Sequence, residues 1–276
     1  MSNIRPAVLT IAGSDSGGGA GIQADLRTFS SFNVYGCSAI TAVTSQNPDE
    51  VRRVDVLPAE AVKSQLESVL DLIPVRFAKS GMLVNSAIVE TAAQMVQKYD
   101  LQLIVDPVMV STSGARLLED SAVESMQKLL FPRAVWVTPN IPEAELICKC
   151  KLNDLQDLAD AALRIYKRYN CNCLIKSGHA ITSDRVSDIV CYQGRLLALS
   201  SPRAEVSANT AHGTGCTLSA ALAANLALKK SWQEALKSAK AFVYGSLCGS
   251  VNLSDTLSQM YPPEINCSNQ VSLIEL

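Results

Sequence analysis

The 276-residue chain has almost no net charge: 24 Lys and Arg against 26 Asp and Glu leave −2. So flat a balance gives no electrostatic footing for nucleic acid or a membrane surface. Long apolar runs are missing too, so no segment is expected to span a bilayer. The opening Met1-Ser2-Asn3-Ile4-Arg5-Pro6 lacks the layout of a signal peptide and leads into a strand-like run. We therefore expect a cytoplasmic protein. Histidine is scarce, with only His179 and His212. Repeats, low-complexity stretches and charge blocks are absent. So are two phosphate-binding patterns, G-x-G-x-x-G and G-x-x-x-x-G-K-[ST], which removes a dinucleotide fingerprint and a P-loop.

What is there is a core-rich composition, 48% hydrophobic and 18% charged, suited to a globular domain. The nine cysteines, Cys37, Cys148, Cys150, Cys171, Cys173, Cys191, Cys216, Cys248 and Cys267, are odd in number and scattered. A disulfide framework does not suit a long chain without a secretion signal. The pairs Cys148/Cys150 and Cys171/Cys173 are C-x-C rather than the C-x-x-C of zinc sites. Most of these residues read as small buried hydrophobes.

Strand-like and helix-like segments alternate. Strands are expected at Ala7–Ala12, Ser38–Thr44, Phe77–Ser80, Leu101–Val105, Ala134–Thr138 and Cys173–Lys176. Helices are expected at Ile22–Phe32, Pro58–Leu72, Ser86–Tyr99, Glu119–Leu130, Asp154–Tyr169, Thr217–Leu228 and Ser231–Leu247, from apolar residues three and four apart. Val186–Tyr192 and Arg195–Leu199 flank Gln193-Gly194 as a hairpin. This pattern predicts an α/β fold: a three-layer α/β/α sandwich on a mostly parallel sheet with an antiparallel edge. We expect one domain over 1–276, with a loosely ordered tail over 262–276.

Ligands of such sheets bind beyond the carboxyl ends of the strands, and the unusual residues lie there. His212-Gly213-Thr214-Gly215-Cys216-Thr217 opens the helical run toward Leu228. A glycine turn at a helix start aims unpaired N–H groups at an anion. A cysteine in that first turn is expected to have a lowered pKa. The plain alternative is an ordinary loop-to-helix start. Within the Gly13 to Asp25 segment, Gly13 to Gly21 packs five glycines into nine residues, more than a cap needs. Asp106 ends a buried strand, where a carboxylate serves Mg²⁺ or a nucleotide, or merely caps a turn. Asn140 and Glu143 stand at capping-box spacing, and equally suit a water-mediated hold on Mg²⁺. Lys176 ends another strand and is placed to meet phosphates, although lone lysines are usually solvated.

These segments resemble the hydroxymethylpyrimidine and phosphomethylpyrimidine kinases of thiamine biosynthesis, in the ribokinase-like superfamily. The resemblance runs from about Ala7 to about Leu247. It rests on AGSDSGGGAGIQADLRTF (Ala12–Phe29), TAVTSQN (Thr41–Asn47), KSGML (Lys79–Leu83), DPVMVSTSG (Asp106–Gly114), TPNIPEAE (Thr138–Glu145), KSGH (Lys176–His179) and HGTGCTLSAALAA (His212–Ala224). Cysteine in GTGC, where superfamily sugar kinases usually carry aspartate, points to the pyrimidine and vitamin branch.

The resemblance implies ATP as donor with Mg²⁺, a pyrimidine acceptor, a homodimer, and no nucleic-acid or membrane partner. It implies that Gly13, Ala20, Asp25, Gln46, Met82 and Val108 line the pyrimidine pocket. Asp106, Asn140, Lys176 and Lys240 would bind ATP, with Asp106 and Glu143 on the metal. Gly213, Thr214, Gly215 and Cys216 would form the catalytic anion hole. A pyridoxal or pyridoxine kinase is the nearest alternative. A non-catalytic vitamin-binding protein and a cysteine hydrolase using His212 stand further off. Ser177 replaces a glycine frequent in the family, Pro48 replaces a usual threonine, and Asn209–His212 is one residue longer than usual.

Overall fold

The computed structural model describes residues 4–109, 118–178, 184–207 and 209–276. His179 and the Val110–Gly114 part of DPVMVSTSG lie outside the described residues. In chain order the first half comprises β1 Ala7–Asp15, α1 Gly21–Ser31, β2 Tyr35–Gln46, β3 Val51–Val56, α2 Ala59–Leu70, β4 Val75–Ser80, α3 Ser86–Lys98 and β5 Gln102–Val105. There follow α4 Asp120–Ser125, β6 Ala134–Val137, α5 Ile141–Cys148, α6 Leu155–Tyr169, β7 Asn172–Ile175, β8 Arg185–Tyr192 and β9 Arg195–Pro202. The chain closes with α7 Thr214–Ala227, α8 Trp232–Cys248, the short strands β10 Val251–Asn252 and β11 Ser258–Gln259, and β12 Ser272–Glu275.

Ten described strands form one sheet in the order β12-β9-β8-β7-β6-β5-β4-β1-β2-β3. Its centre, from β7 through β1 to β2, is parallel. Side chains alternate across the central strands. Leu9, Leu103 and Val137 face a cluster with Leu66 of α2, Ile88 of α3 and Ile165 of α6. Val8, Ile104 and Trp136 face the opposite cluster, with Phe29 of α1, Leu222 of α7 and Leu236 of α8. Both faces are thus covered, which is why these strands read as continuous apolar runs. The α/β/α sandwich is the expected one.

The expected antiparallel edge is present, with the hairpin around Gln193-Gly194 as β8–β9, and a second was not expected. Antiparallel strands flank both sides of the sheet: β3 on one, β8, β9 and β12 on the other. Sequence reasoning missed β3 because Val-Arg-Arg-Val-Asp-Val is largely exposed and carries charges, as edge strands do. The tail is not loose along its whole length: Ser272–Glu275 pairs with Leu197–Ser200. The helix expected over Glu119–Leu130 narrows to α4, followed by a wide π-type turn over Met126–Leu130. Pro132 follows at once, and a proline cannot continue the regular hydrogen-bond ladder. No described helix is long and apolar enough to cross a membrane.

Candidate functional site

The carboxyl ends of β1, β2, β4, β5, β6 and β7 open onto a cavity of about 420 Å³. Gly13, Ala20, Gln46, Met82 and Val108 line it, as do Asp106, Asn140, Glu143, Lys176 and the Gly213–Cys216 turn. A narrower cavity of about 120 Å³ adjoins it, lined by Lys240, Val243 and Tyr244 of α8. Lys176, Thr214 and Gly215 border both. The glycine turn therefore stands at the junction of two compartments.

The turn has its shape for a steric reason. Gly213 caps α7 in the left-handed region, at φ 85. A Cβ there would collide with the Gly19 carbonyl oxygen, so the two glycine loops touch backbone to backbone. The helix starts at Thr214, three residues before the expected start, which puts Gly215 and Cys216 inside its first turn. N–H groups in a first turn have no carbonyl behind them. Of these, Thr214 N donates to Ala211 O at 3.3 Å. The remaining positive end of α7 faces ground that suits an anion.

Cys216 corrects a sequence expectation. Its thiol is not acidified: burial pushes it up to about 11. Lys79 and the Gly21 amide act in the opposite direction, but the Asp25 and Asp106 carboxylates add to the rise. Desolvation beside two anions outweighs the helix start, so at neutral pH the group is a thiol.

Asp106 follows β5 and is almost wholly buried. Lys176 Nζ donates to its Oδ1 at 2.6 Å, and Ser219 Oγ of α7 donates to its Oδ2 at 3.1 Å. Burial would raise the Asp106 carboxyl, but Lys176 and Lys79 hold it below the usual range. Asn140 and Glu143 do form a capping box at the start of α5: Glu143 N donates to Asn140 Oδ1 at 2.9 Å and Asn140 N to Glu143 Oε2 at 2.8 Å. Burial pushes Glu143 up to about 7, with Lys176 opposing and Asp106 adding. Asp106 and Glu143, close enough for the first to raise the second, form a donor set that suits Mg²⁺, which takes few protein carboxylates and keeps its waters.

Two expected residues fall outside the main cavity. Asp25 is wholly buried behind the wall, accepting from Thr10 Oγ1 at 2.6 Å and Lys79 Nζ at 2.9 Å. Its position on α1 turns it inward, and Lys79 reaches the cavity edge instead. Lys240 belongs to the narrow cavity, where its Nζ donates to Asp188 Oδ2 at 2.6 Å.

Sequence reasoning did not single out Lys79 or Asp15. Asp15 ends β1 and gathers the glycine loop, accepting from Gly17 N at 2.9 Å and Ala20 N at 2.8 Å. His212 Nε2 stands 3.4 Å from Asp15 Oδ2 and 3.2 Å from Gln46 Nε2. Pro48 sits in the β2–β3 turn, whose Asp49 accepts from Asn209 Nδ2 at 2.8 Å. Lys79 opens the KSGML motif, but nothing in β4, which also carries Arg76, marks it as the lysine that is buried.

A family model described as phosphomethylpyrimidine kinase matches residues 15–260. The chain is 42% identical over 257 residues to the hydroxymethylpyrimidine/phosphomethylpyrimidine kinase of Haemophilus influenzae, covering 92% of this chain and 94% of that one. Pyridoxal kinase from Staphylococcus aureus in complex with ADP aligns with a TM-score of 0.87 at 34% identity, covering 99% of this chain and 100% of that chain. Phosphomethylpyrimidine kinase from Clostridium difficile aligns with a TM-score of 0.75 at 39% identity, covering 87% and 98%.

Proposed function

The chain belongs to the phosphomethylpyrimidine kinase family, and from that premise we propose two successive phosphoryl transfers at one site. ATP phosphorylates the hydroxymethyl group of 4-amino-5-hydroxymethyl-2-methylpyrimidine, and the monophosphate is then phosphorylated to the diphosphate, for thiamine biosynthesis. The observation that carries this reading is the junction of two cavities at Gly215 and Lys176. The wider one takes the pyrimidine and the narrower one takes the adenosine end of ATP, so the γ-phosphate meets the acceptor at the amide turn.

Gly13, Ala20, Gln46, Met82 and Val108 hold the ring, with Met82 and Val108 as apolar packing and Gln46 as a polar partner. Asp25 acts through Lys79 from behind the wall. Asn140 and Lys240 border the nucleotide, and Lys176 meets its phosphates. Asp106 and Glu143 would hold Mg²⁺, which when bound neutralises phosphate charge. Phosphoryl transfer depends mainly on positioning and charge stabilisation. The Gly213–Cys216 amides supply such stabilisation where charge gathers on the transferred group.

Cys216, a thiol at neutral pH, positions the acceptor oxygen rather than removing its proton. The second acceptor, a phosphate monoester, has a second pKa of about 6 and arrives already anionic. The second step then needs no base, and only the first has a hydroxyl proton to lose.

The whole chain acts as one ribokinase-like domain in this reading. A homodimer is part of the proposal, favoured by exposed Tyr35, Val43, Val54 and Val56 along the β2–β3 edge. So is a cytoplasmic location, where the donor ATP is abundant. The similarity to a pyridoxal kinase over nearly the whole chain supports a second reading, pyridoxal or pyridoxine as acceptor.

The test is incubation with ATP, Mg²⁺ and the hydroxymethylpyrimidine, with pyridoxal in parallel, and products resolved by mass. Monophosphate followed by diphosphate is expected from the pyrimidine. Monophosphate alone, or faster turnover of pyridoxal, would move the assignment to vitamin B6.

A further inference from the structure

Asp188 is an unusual residue for the middle of a sheet. It lies in β8 with its carboxylate buried, 3% exposed as a side chain. A buried carboxylate persists only where every oxygen finds a donor. Lys240 Nζ, from α8, donates to Oδ2 at 2.6 Å. The Ser177 amide donates to Oδ1 at 3.0 Å, with Ser177 Oγ 3.4 Å from the same oxygen. One carboxylate thus ties together β8, α8 and the turn that follows β7.

That turn carries Lys176. The backbone of Lys176 is fixed on its other side, its N–H donating to Pro139 O at 2.8 Å. Its ammonium pairs with Asp106 and lies 3.1 Å from where a Cβ on Gly215 would stand. The Pro139 and Asp188 anchors therefore bracket the Lys176-Ser177 peptide from opposite sides. Lys240 and Asp188 both line the narrow cavity, so the bracket runs from that cavity to the amide turn.

We propose that Asp188 is a positioning residue for phosphoryl transfer. By accepting from the Ser177 amide it sets where the Lys176 ammonium stands against Gly215 and Asp106, and Lys240 provides its counter-charge. This rests on the kinase function proposed above. An anchor lost here displaces a phosphate contact, and displacements of about 1 Å cost about 10²-fold in rate.

Two double variants separate positioning from mere stability. Asp188→Asn with Lys240→Met removes the charge pair but keeps an acceptor for the Ser177 amide. Asp188→Leu with Lys240→Met removes both. Lys240 is absent from each, so they differ only in the acceptor. We expect kcat about 10²-fold lower in the Leu pair than in the Asn pair, at a temperature where both are folded, with KM for the pyrimidine equal. AMP-PCP titrated calorimetrically should bind more weakly to the Leu pair as well.

Equal kcat and equal analogue affinity would overturn the proposal, as would a difference in melting temperature alone. If the Leu pair does not fold, Asp188→Ala with Lys240→Met replaces it under the same criteria. Wild-type protein that binds the analogue but phosphorylates neither the pyrimidine nor pyridoxal would sink the proposed function instead. The analogue affinities of the two pairs would still decide the role of Asp188.

Discussion

The Lys79 ammonium lies 2.9 Å from Asp25 Oδ2 and 3.1 Å from Oδ1, with neither side chain reaching solvent. The pair sits under the cavity wall beside Cys216, and both members act on that thiol. Breaking a buried pair strands one charge in a medium that cannot solvate it. Lys79→Met should therefore cost about 3–5 kcal/mol, read as a fall in the urea midpoint at unchanged slope. Adding Asp25→Asn should recover part of the loss. An unchanged midpoint in the single variant would mean the stranded carboxylate finds water.

With Cys216 pushed up to about 11 by burial, its thiolate fraction at neutral pH is very small, and it grows about tenfold per pH unit below the pKa. Alkylation of Cys216 by iodoacetamide, followed by peptide mass, should be slow at pH 7 and accelerate steadily up to pH 10. A plateau by pH 8 would indicate an acidified thiol and return it to the role of base. In the same logic Cys216→Ser should keep kcat within about tenfold, below the 10²–10⁴ range of a lost general base.

Much of this was legible in the sequence. Core strands such as Leu101–Val105 announce themselves because both their faces are buried, and α6 because Leu158, Ala161, Ala162 and Ile165 recur at helical spacing. The glycine segments at Gly13–Gly21 and Gly213–Gly215 mark close backbone approach, which only their composition could signal. What stayed hidden depends on partners distant in sequence. Nothing near Cys216 tells that Asp25 and Asp106 will surround it, so helix position alone gave the wrong sign. Asp25 reads as a ligand contact until Lys79, 54 positions away, is seen to hold it. The β3 edge escaped because exposed strands lack an apolar alternation.

Glu143 is held at about 7, against an ordinary value of 4.5. The folded state therefore binds a proton that the unfolded state has released between those two values. Stability falls as pH rises through that window, by at most about 3 kcal/mol. Glu143→Gln, which can still cap α5, should flatten the dependence of unfolding free energy on pH between 5 and 8. Adding Mg²⁺ should stabilise the wild type more at pH 8 than at pH 6, and the variant little at either. Equal stabilisation of both proteins would remove Glu143 from the metal.

Gly213 supplies the last test, because it has two jobs that one methyl group disrupts together. Its left-handed φ starts α7, and its bare Cα lets the Gly19 carbonyl approach. A Cβ must push the two loops apart, which rotates the Gly215 and Cys216 amides away from the junction of the cavities. Losing a single donor of this kind costs about 10²–10³ in turnover. Gly213→Ala should lose at least about 10²-fold in kcat for both acceptors. The melting temperature should shift by only a few degrees, since the core on either side of the sheet is untouched. If both transfers survive within about tenfold, the amide turn is not where charge gathers, and phosphate stabilisation must come from Lys176 and the metal instead.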